Sequence, residues 1–260
     1  MTTPPPTIDR RDTFGLFGDL MQPEPQFRVL RLIGDAKLGK THFASKVFPH
    51  LAKEDYGAEC AVVDLRRLAT SDVLHNLSAH FGDEELFPAY IQAYQSWLER
   101  DAPEIRDVRA LFSVLTIRSP DGTNNTEEME RHLVTCLAQD LSAARDRLFL
   151  FIFDRMDDST STSKWVMDTL LVHVSHVPNV RVIVAGRSVP TPSASYAALC
   201  CEHVLQPVKD EEAYISFCRA SGLLLSDESI RTAACVCDYV PGSFVDALFK
   251  LEQREAARDS

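Results

Sequence analysis

The stretch RVLRLIGDAKLGKTHFASKVF, residues 28–48, decides how the rest of the chain is read. Val29, Leu30, Leu32 and Ile33 form a short aliphatic run of the kind that makes a buried strand. The run meets Gly34, and after Asp35, Ala36, Lys37 and Leu38 come Gly39, Lys40 and Thr41. This is G-x-x-x-x-G-K-[ST], the Walker A pattern. A loop bounded by glycines can turn its backbone N–H groups around a phosphate chain. Lys40 is placed to reach the β- and γ-phosphate oxygens and Thr41 to hold Mg²⁺, while the helix opening at Lys40 turns its positive end to the anion. Gly34 to Thr41, with the adjoining His42, are the candidate nucleotide contacts.

The bulk properties set bounds. A chain of 260 residues can bury one large core, or one core and a small satellite. With 45% hydrophobic and 25% charged residues it reads as a soluble globular protein. A net charge of −11 argues against a protein built to grip nucleic acid. MTTPPPTIDRRD has no apolar segment of a signal peptide, and no run reaches the length of a membrane span, so the expected location is cytoplasmic. The seven cysteines are scattered, and Cys235-Val-Cys237 lacks zinc-knuckle spacing. They read as reduced thiols packed as small hydrophobes.

Along the chain, residues 1–7 read as a disordered proline-rich tail. Phe14, Phe17, Leu20 and Met21 have helical spacing and stop before Pro23. A helix is expected from Thr41 to about Ala52, a strand over 60–67, and a helix over 71–82 with Ser71 as its N-cap. Phe87, Tyr90, Tyr94, Trp97, Leu111, Phe112 and Leu115 fit the core face of a helical insertion over about 83–119. A loop over 119–126 leads into a helix ending near Ala144.

RLFLFIFD, 147–154, is the second stretch with chemistry in it. Six apolar residues make a strand buried on both faces, ending in Asp154. That is a Walker B pattern, and it makes Asp154 the Mg²⁺ partner beside Thr41. Asp157 and Asp158 follow, either of which could orient a water for hydrolysis. DSTSTSK, 158–164, reads as a hydroxyl-rich loop, 165–178 as a helix, and VRVIVAGR, 180–187, as another buried strand. Arg187 sits where that strand opens. A short strand is expected at 203–208, and from Lys209 the pattern is helical only, with helices at 210–222, 226–240 and 242–258.

These features in this order resemble the STAND branch of P-loop NTPases, the AAA-related signalling ATPases of NACHT and NB-ARC type. The resemblance runs over roughly residues 8–250: an approach helix after Ile8-Asp9-Arg10, Walker A, the DLR-ending strand, Walker B, the VAGR strand and a helical lid. Within that group the chain looks most like compact bacterial effector-associated modules. The resemblance implies an α/β three-layer P-loop core over 8–207 with a parallel sheet in the order 5-1-4-3-2, and a helical lid over 208–260. It implies ATP or ADP with Mg²⁺ as ligand, Ile8–Arg10 near the base, and Arg187 on the γ-phosphate. Pro241 would pack on adenine, although the glycine that precedes the family's proline is Tyr239 here. Active members carry a glutamate after Walker B where this chain has Asp157-Asp158, one methylene shorter, so tight binding with slow or no hydrolysis is implied.

The primary expectation is a regulatory ATP switch acting through a protein partner or self-association. The alternative is an inactive adaptor with structural nucleotide. A metabolic kinase is weaker, since no acceptor-site signature is present, and a DNA-remodelling ATPase is weaker still.

Overall fold

The computed structural model describes residues 6–8, 10–66, 68–81, 86–101, 125–157, 159–223 and 225–256. Five strands form one sheet: β1 (Val29–Ile33), β2 (Glu59–Asp64), β3 (Phe149–Met156), β4 (Val180–Gly186) and β5 (Cys200–Val204). All neighbours are parallel and the order is β2-β3-β4-β1-β5, which is the expected 5-1-4-3-2 read from the other edge.

Strand alternation divides the interior into two cores. Phe149, Phe151 and Phe153 of β3 and Val180, Val182 and Val184 of β4 face one way, into a core shared with the helices that follow β2 and β3. Leu150, Ile152, Ile183 and Ala185 face the other way, with Leu30 and Leu32. A strand covered on both faces is apolar at nearly every position, and β3 is buried from Phe149 to Asp154 with five apolar residues before the aspartate.

The second face is covered by α1 (Arg11–Leu20) and by one helical run, α2 (Lys40–His42), a π-helical stretch (Phe43–Val47) and α3 (Phe48–Tyr56). Phe17 stacks on Phe48 with centroids 4.6 Å apart, so the periodicity at 14–21 has a physical destination. On the first face lie α4 (Thr70–Phe81), α5 (Pro88–Asp101) and α6 (Asn125–Ala143). Buried Asp140 of α6 accepts the amides of Ala89 (3.2 Å) and Tyr90 (2.9 Å), satisfying the open first turn of α5. Tyr90 and Tyr94 are core residues, as their spacing predicts. Leu111, Phe112, Leu115, most of the 119–126 loop and residues 1–5 lie outside the described residues, as does the side chain of Trp97.

Some boundaries differ from expectation. Helix α4 begins at Thr70, with Asp72 Oδ2 accepting the Ala69 amide, so Ser71 is not its N-cap. Residues 161–164 are helical: α7 (Ser161–Trp165) starts behind Thr160, whose hydroxyl caps the Ser163 amide. A π-helical stretch (Val166–Leu170) carries it into α8 (Leu171–Val174). Strand β5 begins at Cys200, three residues before the expected start. The C-terminal helices are α9 (Glu211–Ala220), α10 (Asp227–Val236) and α11 (Pro241–Ala256), and they enclose a third apolar cluster with Ile8. Among the described residues no helix is long and apolar enough to cross a membrane.

Candidate functional site

Parallel strands deliver their C-terminal ends to one edge of the sheet, and the loops there gather the chemistry. A cavity of about 450 Å³ opens at that edge. Its walls are Ala36, Lys37, Gly39, Lys40, Thr41 and His42 from the loop after β1; Arg66 after β2; Asp154, Arg155, Met156 and Asp157 from the end of β3; Gly186 and Arg187 from the end of β4; and Gly242 from α11. Three separate sequence motifs therefore meet in one place.

The loop from Gly34 to Gly39 is bent back on itself by its own lysine. Lys40 Nζ donates to the carbonyls of Gly34 (2.5 Å) and Asp35 (2.6 Å). Only 9% of Lys40 is exposed, and burial lowers its pKa while the charge of Asp154 opposes that. Two residues adopt left-handed backbone, Lys37 (φ 66) and Gly39 (φ 96). Among the described residues, the amides of Asp35 to Gly39 donate to no acceptor in the protein. A run of such amides in front of a helix is an anion-binding concavity.

Asp154 is 4% exposed. Burial raises its pKa; the Thr41 hydroxyl, within hydrogen-bonding reach, and Arg155 work in the opposite direction. Thr41 and Asp154 are thus brought together as their motifs predict. The strand does not end at Asp154, however. Phe153 pairs with Val184 and Met156 with Gly186, so Asp154 and Arg155 oppose Ala185 alone. That is a β-bulge, with Arg155 at φ 63. Its return stroke presses the Met156 carbonyl against Gly186, where a Cβ would lie 2.3 Å from the oxygen. Arg155 Nε is 3.2 Å from Asp64, which also holds Arg66 through Nη2 at 2.7 Å.

The remaining expected residues fall as follows. Arg187 is exposed on the cavity wall and has no hydrogen bond or ion pair among the described residues. Asp157 also lines the cavity, but its carboxylate is engaged by the Ser159 amide (2.9 Å) and hydroxyl (2.7 Å), which hold its pKa below the ordinary range. Asp158 lies outside the described residues. His42 lines the cavity; burial lowers its pKa, and a hydrogen bond to the Pro6 backbone works in the opposite direction. Gly34, Asp35 and Leu38 are not on the cavity wall: the Gly34 and Asp35 carbonyls turn to Lys40, and the Leu38 side chain is core.

Arg10 and Pro241 are not on the cavity wall. Arg10 is buried, with Nη1 on the Gln206 carbonyl (2.7 Å) and Nη2 on the Leu38 carbonyl (2.9 Å). Pro241 opens α11 and is buried, while Gly242 beside it reaches the cavity. The Gly242 amide donates to the Lys37 carbonyl at 2.7 Å, and Lys37 Nζ is 2.9 Å from Asp246. A Cβ on Gly242 would stand 2.7 Å from that carbonyl.

Sequence reasoning missed Arg66, Arg155, Met156, Gly186 and Gly242 as wall residues. The "DLRR" stretch was a signal for the first, since an aspartate two residues before an arginine can hold it in place. The others depend on a bulge and on a close approach that no spacing announces. No protein-family model matches the chain, and no curated protein matches its sequence.

Proposed function

We propose that the chain binds a nucleoside triphosphate with Mg²⁺ in this cavity, ATP by the resemblance to STAND NTPases, and that it works as a regulatory switch. The observation that carries the reading is the convergence of loop 34–41, Asp154 and Arg187 on one cavity that also touches α11. In this reading residues 8–207 are a three-layer P-loop core and the C-terminal helices are its lid. Lys40 and the loop amides hold the phosphate chain, and Arg187 meets the terminal phosphate.

The donor set suits Mg²⁺. Among the described residues there is no cluster of three or more His, Cys, Asp or Glu side chains that could hold a metal. Mg²⁺ does not need one, because it keeps waters and takes phosphate oxygens beside one or two protein groups. Thr41 and Asp154 would be those groups, and the ion would neutralise charge on the phosphates.

A switch needs a ligand that binds two conformations unequally. The contact of Gly242 and Asp246 with Lys37 supplies the means, since the loop that would receive phosphate is also the loop on which α11 rests. The signal would pass to a protein partner or a second copy.

One observation favours binding without turnover, the adaptor reading. Asp157 spends its carboxylate on Ser159 and is a weak base in consequence. Hydrolysis would then depend on Asp158. Chromatography of nucleotide released from purified protein, followed by phosphate release from Mg²⁺-ATP, separates the two. Retained nucleotide with turnover abolished by Lys40→Ala and Asp158→Asn supports a hydrolysing switch. Retained nucleotide without turnover supports the adaptor, and a chain that binds none contradicts both.

A further inference from the structure

Five carbonyls of the candidate phosphate loop are engaged, that of Gly39 by the Phe43 amide of the helix it opens, and the partners of the other four differ in kind. Those of Gly34 and Asp35 turn to Lys40. Those of Lys37 and Leu38 are held by groups from distant parts of the chain: Lys37 by the Gly242 amide, Leu38 by Arg10 Nη2 at 2.9 Å. A trans peptide is planar, and its N–H points opposite to its C=O. Fixing the Leu38 carbonyl on Arg10 therefore turns the Gly39 N–H away from Arg10. Gly39 is on the cavity wall and Arg10 is not, so the amide is turned toward the cavity side. It donates to nothing among the described residues.

Arg10 is fixed before any ligand arrives. It is 8% exposed, and its other terminal nitrogen is on Gln206, in the segment that leaves β5. An arginine fork holds planar acceptors in a set direction better than a lysine point charge does.

We propose that Arg10 is a positioning residue for the phosphate loop, locking the Leu38–Gly39 peptide from behind so that the Gly39 amide faces the anion, without touching the nucleotide itself. Gly242 holds the preceding peptide through the Lys37 carbonyl from the opposite, cavity side. This deepens the nucleotide-binding reading and rests on it. It also differs from the role implied by resemblance, in which Arg10 lies beside the base. An amide already aimed at an oxyanion costs nothing to reorient on binding, and hydrogen bonds to charged oxygens are the strong ones.

The two roles separate with a ligand that has phosphates and no base. The full chain, Arg10→Met and Arg10→Lys are titrated with Mg²⁺-ATP and with inorganic tripolyphosphate. Loss of one charge-assisted bond's orientation is worth about tenfold in affinity. Arg10→Met is expected to weaken both ligands by that same factor, with Arg10→Lys intermediate. Weakened ATP with unchanged tripolyphosphate would place Arg10 on the nucleoside and overturn the proposal. Unchanged affinity for both, with only a lower melting temperature, would make Arg10 a structural tie and overturn it too. Should Arg10→Met not fold, the Gly39 amide resonance of the unsubstituted chain decides: it is expected to move downfield with tripolyphosphate, and an unmoved resonance refutes the idea. If the unsubstituted chain binds neither ligand, the nucleotide-binding reading itself fails, a result distinct from any effect of the variants.

Discussion

Gly186→Ala tests how the end of β4 sets the position of Asp154. The alanine Cβ would stand 2.3 Å from the Met156 carbonyl oxygen and 2.9 Å from its carbonyl carbon and Cβ. Ordinary van der Waals contact begins at 3.4 Å, so something must move by 3.4 − 2.3 = 1.1 Å. The obstruction is backbone, and Met156 is paired with Gly186 in the sheet, so no rotamer change relieves it. Overpacking a tight interior costs about 1–3 kcal/mol, and a backbone clash belongs at the upper end. About 3 kcal/mol in a chain of this size corresponds to a melting temperature lower by roughly 6–12 °C. The displacement also falls two residues from Asp154, across the bulge that places it by Thr41. Nucleotide affinity should therefore fall together with stability. Calorimetric melting and a Mg²⁺-ATP titration on the variant read both quantities. A melting temperature within about 2 °C of the unsubstituted chain, which is under ~1 kcal/mol, would refute the claim that the bulge and this glycine are mutually required.

Other outcomes follow from the same geometry. Asp154 has its pKa raised by burial, so its protonated form favours the fold; that contribution is complete below the ordinary value of 3.8 and is lost as pH rises through the elevated folded value. Asp154→Asn should therefore melt higher than the unsubstituted chain at neutral pH without nucleotide, with a flatter pH profile in that window, and should lose Mg²⁺-dependent binding; an equally steep profile would contradict this. Gly242→Ala should loosen α11 from Lys37 and weaken nucleotide binding, whereas Asp246→Ala should change stability by less than about 1 kcal/mol, because that ion pair is half exposed. Hydrogen exchange across 241–246 tells the two apart, and equal effects would contradict the assignment. Arg31 pairs with Glu202 and donates to the carbonyls of Val189 and Pro190, so Arg31→Met should cost about 2 kcal/mol in urea melts. Glu202→Gln, at a half-exposed side chain, should cost under about 1 kcal/mol.

The sheet was legible because its central strands are covered on both faces, and β1, β3 and β4 announce themselves as aliphatic or aromatic runs, interrupted by Arg31 in β1 and Arg181 in β4. The loop 34–41 and Asp154 were legible because the Walker A and Walker B patterns are defined by residue type and spacing. Edge strand β5 was placed late because its residues are only partly covered, so Cys200 and Cys201 carry no hydrophobic run. Residues 161–164 looked like a loop by composition, yet Thr160 three positions before Ser163 is a cap, a signal that hydroxyl content conceals. The bulge at Arg155 was hidden because positive φ there falls on a residue that gives no warning of it. Arg10 was placed by analogy beside a base, while its burial against two carbonyls could come only from the tertiary fold.

The most direct test of the account is thermal unfolding of the full chain against Mg²⁺-ATP concentration, beside Lys40→Ala. Ligand binding to the folded state adds about 2.7 kcal/mol at a hundredfold excess over Kd, so the melting temperature should climb logarithmically with ATP. Lys40→Ala, measured against its own melting temperature without nucleotide, should lose that climb. A melting temperature indifferent to Mg²⁺-ATP in the unsubstituted chain would contradict nucleotide binding at this cavity.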